Sequence, residues 1–378
     1  MRILFTRFPL ESAFGGAEIQ TLTLMREFAK RGHDVEFLGS CSVLLDKVTS
    51  YELRVTNLDI GPPPVTKWGA VNFLWRKKKM QHALIKELQT TNYKLPTVIC
   101  MLSLSEKLLL TEWATSRGIR VVWIEHDRVG RWLRWNPWLA KLRALSRLAT
   151  TVVVSELSKK IYLDLGWRPE HLIAIKNGID VERLAAGCHG EPVPQGPPGE
   201  PSRGETTGML HVGTVARLSP EKGVDLLIEA IATMPDVRLT IVGQGPQEEP
   251  LRRLIARRGF GERVQIFPTT DDIGAFYRSL DVFILPSREH DPCPLAPMEA
   301  MSLGVATILT DACGTADYVR NAIDAIIVPA NSDEALRKAL VTMEDPFVRE
   351  RIAASGKARA AEAFSLQVMV DSYLKIMV

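Results

Sequence analysis

Cysteine is scarce in this chain and nowhere paired at short spacing. Its five copies, Cys41, Cys100, Cys188, Cys293 and Cys313, stand far apart, odd in number and without a CxxC. That argues against a disulfide framework and against a cysteine zinc site, and it suits a reducing cytosol. An excess of one charge is also missing. Lys and Arg number 47 against 44 Asp and Glu, a balance of +3 that gives no electrostatic ground for a nucleic-acid partner. No apolar run approaches the roughly 20 residues of a membrane span. The opening MRILFTRF reads as a strand and lacks the layout of a secretory leader, so a cytoplasmic protein is expected. The dinucleotide fingerprint GxGxxG is absent too, which disfavours a nicotinamide-dependent dehydrogenase. No short-period repeat is visible, and nothing points to a solenoid.

What is present is a well-apolar chain of 378 residues, 46% hydrophobic and 24% charged. At about 100–200 residues per domain, two or three domains are expected. Short apolar, β-branched runs alternate with helix-patterned stretches. In the first half the strand candidates are 2–6, 34–39, 97–102, 120–125, 150–155 and 171–176. Helices are expected between them, at 17–31 and 156–165 among others. Near-continuous apolar runs of this length suit strands covered on both faces, and the alternation predicts a parallel sheet flanked by helices. Composition then shifts. Residues 186–208, AGCHGEPVPQGPPGEPSRGETTG, read as a linker or mobile loop. Alternation restarts, with strands expected at 209–215, 237–242, 263–267, 282–285, 305–309 and 325–328. Helices are expected at 221–233, 246–258, 295–303 and 332–343, with a helical tail over 361–377. The fold class is therefore α/β, with two domains of similar size.

In open α/β sheets ligands bind beyond the carboxyl ends of strands, and the chemically telling residues stand there. GGAE, residues 15–18, follows the first strand. Gly15 and Gly16 would let backbone approach a ligand closely, and the helix that follows favours anions; the same pattern also makes a plain flexible turn. Glu125-His126-Asp127 closes the strand VVWIE, where His126 would face a cleft and reach a sugar hydroxyl or the reacting centre; the same position also suits a histidine satisfied within its own loop. In GTVARLSPEKG, residues 213–223, Arg217 and Lys222 lie five apart across a turn into a helix. Both can converge on one diphosphate, Arg as a planar fork and Lys as a point charge; the alternative is a solvated pair of surface cations. IVGQGP supplies a GxG turn that serves equally as structure or as a nucleotide contact. In SREHDPCPLAPMEAMSLG, Asp291 and Glu299 are separated by seven residues. Pro292 and Pro294 should keep the first part extended, and Pro297 suits the first turn of a helix carrying Glu299. Two carboxylates so placed are suited to gripping vicinal sugar hydroxyls, and equally to serving as a solvated loop acid and a helix-capping Glu. Asp271 and Asp272 read as an acidic cap on a helix rather than a metal site.

Taken together, GGAE, EHD, NGID, GTVARLSPEKG, VGQGP and DPCPLAPMEAMSLG resemble the retaining GT-B glycosyltransferases of family four, over nearly the whole chain. The resemblance implies two Rossmann-like domains facing each other across a cleft: residues 1–185 on the acceptor side, a linker at 186–208, and a donor domain at 209–360. A C-terminal helix at about 361–378 would pack back on the first domain. The activity implied is transfer of a sugar from a nucleotide-diphosphate donor to a hydroxyl acceptor, with no metal and no cofactor. Arg217 and Lys222 match the family's diphosphate pair. Glu299 matches the second acid of its E-x7-E motif, which holds the ribose. Asp291 stands for the first acid, near the donor sugar, one methylene shorter; neighbouring Glu289 is the alternative. His126 matches the active-site histidine, and Gly15 and Gly16 match the glycine loop near the phosphates. Asn177, Gly178 and Asp180 match the segment entering the interdomain crossing, a structural role. Two other functions fit the same fold: a non-catalytic sugar-nucleotide-binding protein and a sugar-nucleotide epimerase.

Residues 128–148, RVGRWLRWNPWLAKLRALSRL, mix three tryptophans with basic side chains, and Arg76-Lys77-Lys78-Lys79 follows Trp75. Such segments suit an anionic membrane face or an anionic acceptor. The expectation is the plainer one, tryptophans packed inward and basic groups solvated, with peripheral membrane contact as the alternative.

Overall fold

The computed structural model describes residues 1–9, 15–90, 95–128, 131–186, 208–270 and 272–378. The stretch expected as a linker, 186–208, lies outside this set except for its two end residues, as do Cys188 and Asp271. The chain forms two compact units, Met1–Asn177 with Gln367–Val378, and Gly178–Leu366.

The first unit holds a seven-stranded parallel sheet. Its strands are β1 (Arg2–Arg7), β2 (Asp34–Gly39), β3 (Arg54–Asn57), β4 (Val98–Met101), β5 (Arg120–Glu125), β6 (Thr150–Val153) and β7 (Leu172–Ala174), in the order β3-β2-β1-β4-β5-β6-β7. β3 was not expected. Its residues Arg-Val-Thr-Asn carry no apolar run, because an edge strand has only one neighbour and is half exposed. The central strands are apolar on both faces, with Ile3, Phe5, Ile99, Val122 and Trp123 fully buried, as helices on both sides require.

The second unit repeats the plan with six strands: β8 (Leu210–Val215), β9 (Val237–Val242), β10 (Val264–Phe267), β11 (Val282–Leu285), β12 (Ala306–Thr310) and β13 (Ile326–Val328), in the order β10-β9-β8-β11-β12-β13. Sequence order reverses beside β1 in the first sheet and beside β8 in the second. Each reversal opens a crevice at the strands' carboxyl ends, the ligand position of open α/β sheets.

Two expected helices and one packing expectation differ. The helix expected at 221–233 is a 3-10 turn, Pro220–Lys222, then a helix only at Val224–Ala230. Gly223 breaks it with a left-handed φ of 66°. The tail expected as one helix over 361–377 is two, Pro346–Ala363 and Leu366–Met377. The break is tied down by Ile179, whose backbone N–H donates to the Phe364 carbonyl at 3.0 Å and which bridges to Ser365. Ile179 of the NGID segment thus holds that break in place. Finally, the tryptophans do not all turn inward. Trp138 does, donating from Nε1 to the Ala70 carbonyl at 3.1 Å. Trp135 and Trp75 are 86% and 85% exposed.

Gly223 is fixed by packing as well as by φ. A Cβ there would lie 2.2 Å from the carbonyl oxygen of Pro286. Gly223→Ala should therefore destabilise the second unit by about 2 kcal/mol or more. Thermal melting against wild type measures it, and an unchanged midpoint would contradict the packing described.

Candidate active site

In the second unit, two loops leave adjacent strands β8 and β11 and are stitched together. Lys222 Nζ lies 2.6 Å from Asp291 Oδ2, which also accepts from Ser287 Oγ at 2.8 Å. Arg288 donates from its backbone to the Glu221 carbonyl at 2.8 Å and from its guanidinium to Asp225 at 2.5 Å. Asp291 is buried, and its own backbone is held on both sides, N–H to Ala312 at 2.9 Å and C=O from Gly314 at 2.8 Å. Glu289, the alternative acid, is exposed. The acid built into the loop wall is thus Asp291. A buried carboxylate needs a partner, and Lys222 supplies it.

Arg217 lies on the same loop as Lys222 but is exposed, and among the described residues it has no ion-pair partner. Its loop is shaped by VGQGP. Leu218 donates to the Gln244 carbonyl at 2.8 Å, and Gln247 donates back to the Leu218 carbonyl at 2.8 Å. A Cβ on Gly243 would sit 1.9 Å from the Ala216 carbonyl oxygen. The GxG turn, open at the sequence level between structure and nucleotide contact, therefore serves at least as structure. Glu299 is one turn into the helix Leu295–Ser302, with Pro297 in that first turn. Its Oε2 accepts from the Tyr277 hydroxyl at 2.9 Å. Burial, with the Glu299 charge, raises the Tyr277 pKa well above normal, so the phenol stays a donor. That contact fixes one carboxylate oxygen. Asp272 caps the helix Ile273–Ser279 by accepting from Ala275 at 2.8 Å, as expected of it.

In the first unit, one residue missed by the sequence reading organises the loops. Arg7, at the end of β1, is buried and paired with Glu18, the acid of GGAE. Its guanidinium also lies 3.7 Å from Asp127 of EHD. Glu18 in turn accepts from the Gly15 backbone at 3.1 Å. Gly15 itself is extended, so glycine is not demanded there by conformation. Within EHD the three side chains have separate tasks. Glu125 pairs with Lys107 at 2.8 Å and accepts from Tyr162. Asp127 faces Arg7. His126 is left with both ring nitrogens buried and, among the described residues, unpartnered. Unsatisfied buried polar atoms in a native fold call for a ligand or water. Burial first, then the Arg7 and Lys107 charges, pull the imidazole down to about 4 against the Asp127 charge. It is therefore neutral, one nitrogen a donor and the other an acceptor. Glu106, also missed, is fully buried after β4. Its Oε1 accepts from Ser103 at 2.6 Å and Leu102 at 3.2 Å, and burial pushes it up to about 7. The S-x-x-E spacing of Ser103 and Glu106 is a capping-box signal that would have found it. Nothing local in sequence marks Arg7, whose partners are 11 and 120 residues away.

Two family models cover most of the chain. Glycosyltransferase Family 4 matches residues 14–183, and Glycosyl transferases group 1 matches residues 202–359. The chain belongs to glycosyltransferase family 4. Among its relatives, the lipopolysaccharide core biosynthesis glycosyltransferase LpsD of Rhizobium meliloti is 26% identical over 332 residues, 81% of this chain and 92% of the relative. Phosphatidyl-myo-inositol mannosyltransferase of Mycobacterium leprae is 29% identical over 252 residues, 64% of this chain and 60% of the relative. The fold is shared with Anabaena Alr3699/HepE in complex with UDP, at a TM-score of 0.78 and 18% identity over 99% of both chains. The protein is thus a GT-B enzyme that transfers sugars.

Two titrations test the first unit of this glycosyltransferase. The His126 imidazole is depressed in the fold, so its contribution to stability is present above pH 6.5 and is lost as pH falls toward 4. Its Cε1 resonance, assigned by loss in His126→Gln, should keep the neutral shift down to pH 5. A midpoint near 6.5 would contradict the burial described. Glu106 has the opposite sign. A raised carboxyl stabilises below about 4.5 and loses that contribution as pH rises through about 7. From pH 5 to pH 8, wild type should lose on the order of 2–3 kcal/mol more than Glu106→Gln, measured by urea unfolding; parallel curves would refute it.

Proposed function

We propose that this glycosyltransferase takes its sugar from a nucleotide-diphosphate donor and passes it to a hydroxyl acceptor with retention of configuration. The observation that carries the donor class is the pair of cations on one loop at the β8–β11 switch point. Arg217 is unpaired among the described residues, and Lys222 spends one of three N–H donors on Asp291. A diphosphate supplies the anionic oxygens that such a loop lacks. Glu299, oriented by Tyr277, is the carboxylate that meets the ribose hydroxyls. Asp291, next to Lys222, is available to the donor sugar. The UDP in the crystals of the Anabaena protein supports the same class.

In the mechanism proposed, Arg217 and Lys222 offset charge developing on the departing diphosphate, the electrostatic contribution that often dominates such reactions. The acceptor hydroxyl attacks from the face the diphosphate leaves. Neutral His126 hydrogen-bonds the reacting sugar or acceptor rather than acting as a cation. Gly15 and Gly16 let backbone approach the phosphates. No cofactor takes part in this scheme. The acceptor is a saccharide, a lipid-linked glycan or a small molecule, and a lipid-linked one would place the enzyme at a membrane face. The described cysteines, Cys41, Cys100, Cys293 and Cys313, form no disulfide with one another, which fits work in a reducing cytosol.

Arg217→Ala is the cleanest test, because an exposed side chain with no ion-pair partner among the described residues can be removed without disturbing the core. Transfer from the preferred nucleotide sugar should fall by about 100-fold or more at an unchanged melting temperature. Near-normal turnover would refute the donor site. Product anomers followed by NMR during turnover should keep the donor's configuration; initial inversion would refute retention.

A further inference from the structure

The helix Lys67–Thr90 buries one face through Ala70, Phe73, Met80, Leu84 and Leu88. At 100° per residue, Trp68, Val71 and Trp75 fall on the opposite face, and they are 80%, 48% and 85% exposed. Lys78 and Lys79 continue that face, both exposed. Single exposed apolar residues are ordinary, but a row of this size marks an interaction surface. A further exposed tryptophan is held near the start of this helix through contacts with its other face. Asn136 donates to the Pro64 carbonyl at 2.9 Å, and Trp138 packs edge-on against Phe73, ring centroids 5.2 Å apart. These contacts hold the turn Arg131–Trp135, with its 86% exposed Trp135, against the start of the same helix.

We propose that this surface docks the enzyme on an anionic phospholipid bilayer. Charge selects that occupant. The helix carries six basic residues, Lys67, Arg76, Lys77, Lys78, Lys79 and Lys86, against one acid, Glu87, in a chain whose net charge is only +3. Indole rings favour the headgroup boundary, apolar body inward and N–H toward water. Trp68 and Trp75 are about 10 Å apart along the helix axis, and the lysines follow within the next turns. The helix therefore lies in the plane of the surface, its tryptophans entering the headgroup boundary and its ammonium groups meeting lipid phosphates. No helix among the described residues is long and apolar enough to cross the bilayer, so the contact is peripheral. The inference rests on the proposed function only in that it would bring the enzyme to a lipid-held acceptor; the docking itself requires no transfer.

Flotation of the full chain with phosphatidylcholine vesicles, with and without phosphatidylglycerol, tests it. Wild type should float only with phosphatidylglycerol and be released by salt. Trp68→Ser/Trp75→Ser and Lys78→Glu/Lys79→Glu should each weaken binding by at least about tenfold. All changed positions are exposed, so melting temperature and slow donor hydrolysis should match wild type, which separates failed docking from a failed donor site. The proposal is overturned if wild type stays with the soluble fraction, if either double variant floats like wild type, or if sedimentation shows the tryptophan row closed in a dimer that ignores vesicles.

Discussion

The ion pair between Lys222 and Asp291 is the constraint on which the candidate donor site depends. A carboxylate buried at the carboxyl end of a parallel sheet is costly unless a cation and hydrogen bonds meet it. Asp291 has Lys222, Ser287 and two backbone ties. Through it the loop after β8 is locked to the loop after β11, and Gly223 permits the close approach that this needs. Arg217 is left exposed beside a cation already oriented. The candidate site is thus largely pre-formed, which would lower the cost of ordering it around the proposed diphosphate.

The first unit uses the same device with the charges reversed. There the buried cation is Arg7, and the carboxylates it holds belong to the GGAE and EHD segments. Both units place loops at a reversal of strand order and fasten them with a charge that cannot stay buried alone. The consequence for chemistry is a division of labour among neighbouring residues. Glu125 and Asp127 are occupied with Lys107 and Arg7, and His126 between them keeps two buried nitrogens for something else.

Much of this was legible in the sequence, and the parts that were not share a cause. Central strands such as β5 and β9 announce themselves because burial on both faces demands apolar runs. Edge strand β3 does not, since half its surface meets water. Helix caps at Asp272 and the Ser103–Glu106 spacing are local patterns. Arg217, Lys222, Asp291 and Glu299 are legible as types of residue just after strands. Their pairing is not, because 69 residues separate Lys222 from Asp291. Arg7 was missed for the same reason. The break after Lys222 could have been read from its glycine, whereas the expected longer helix followed the apolar period straight through it. The outward tryptophans show the limit of composition: Trp138 and Trp135 are three apart in one segment, and only packing against the helix Lys67–Thr90 decides which one is buried.

A structure determined with a nucleoside diphosphate bound is the most direct test of the account. It predicts pyrophosphate oxygens within hydrogen-bond distance of both Arg217 and Lys222, with a ribose hydroxyl at Glu299. A diphosphate seated elsewhere, with Lys222 still committed to Asp291 alone, would contradict it.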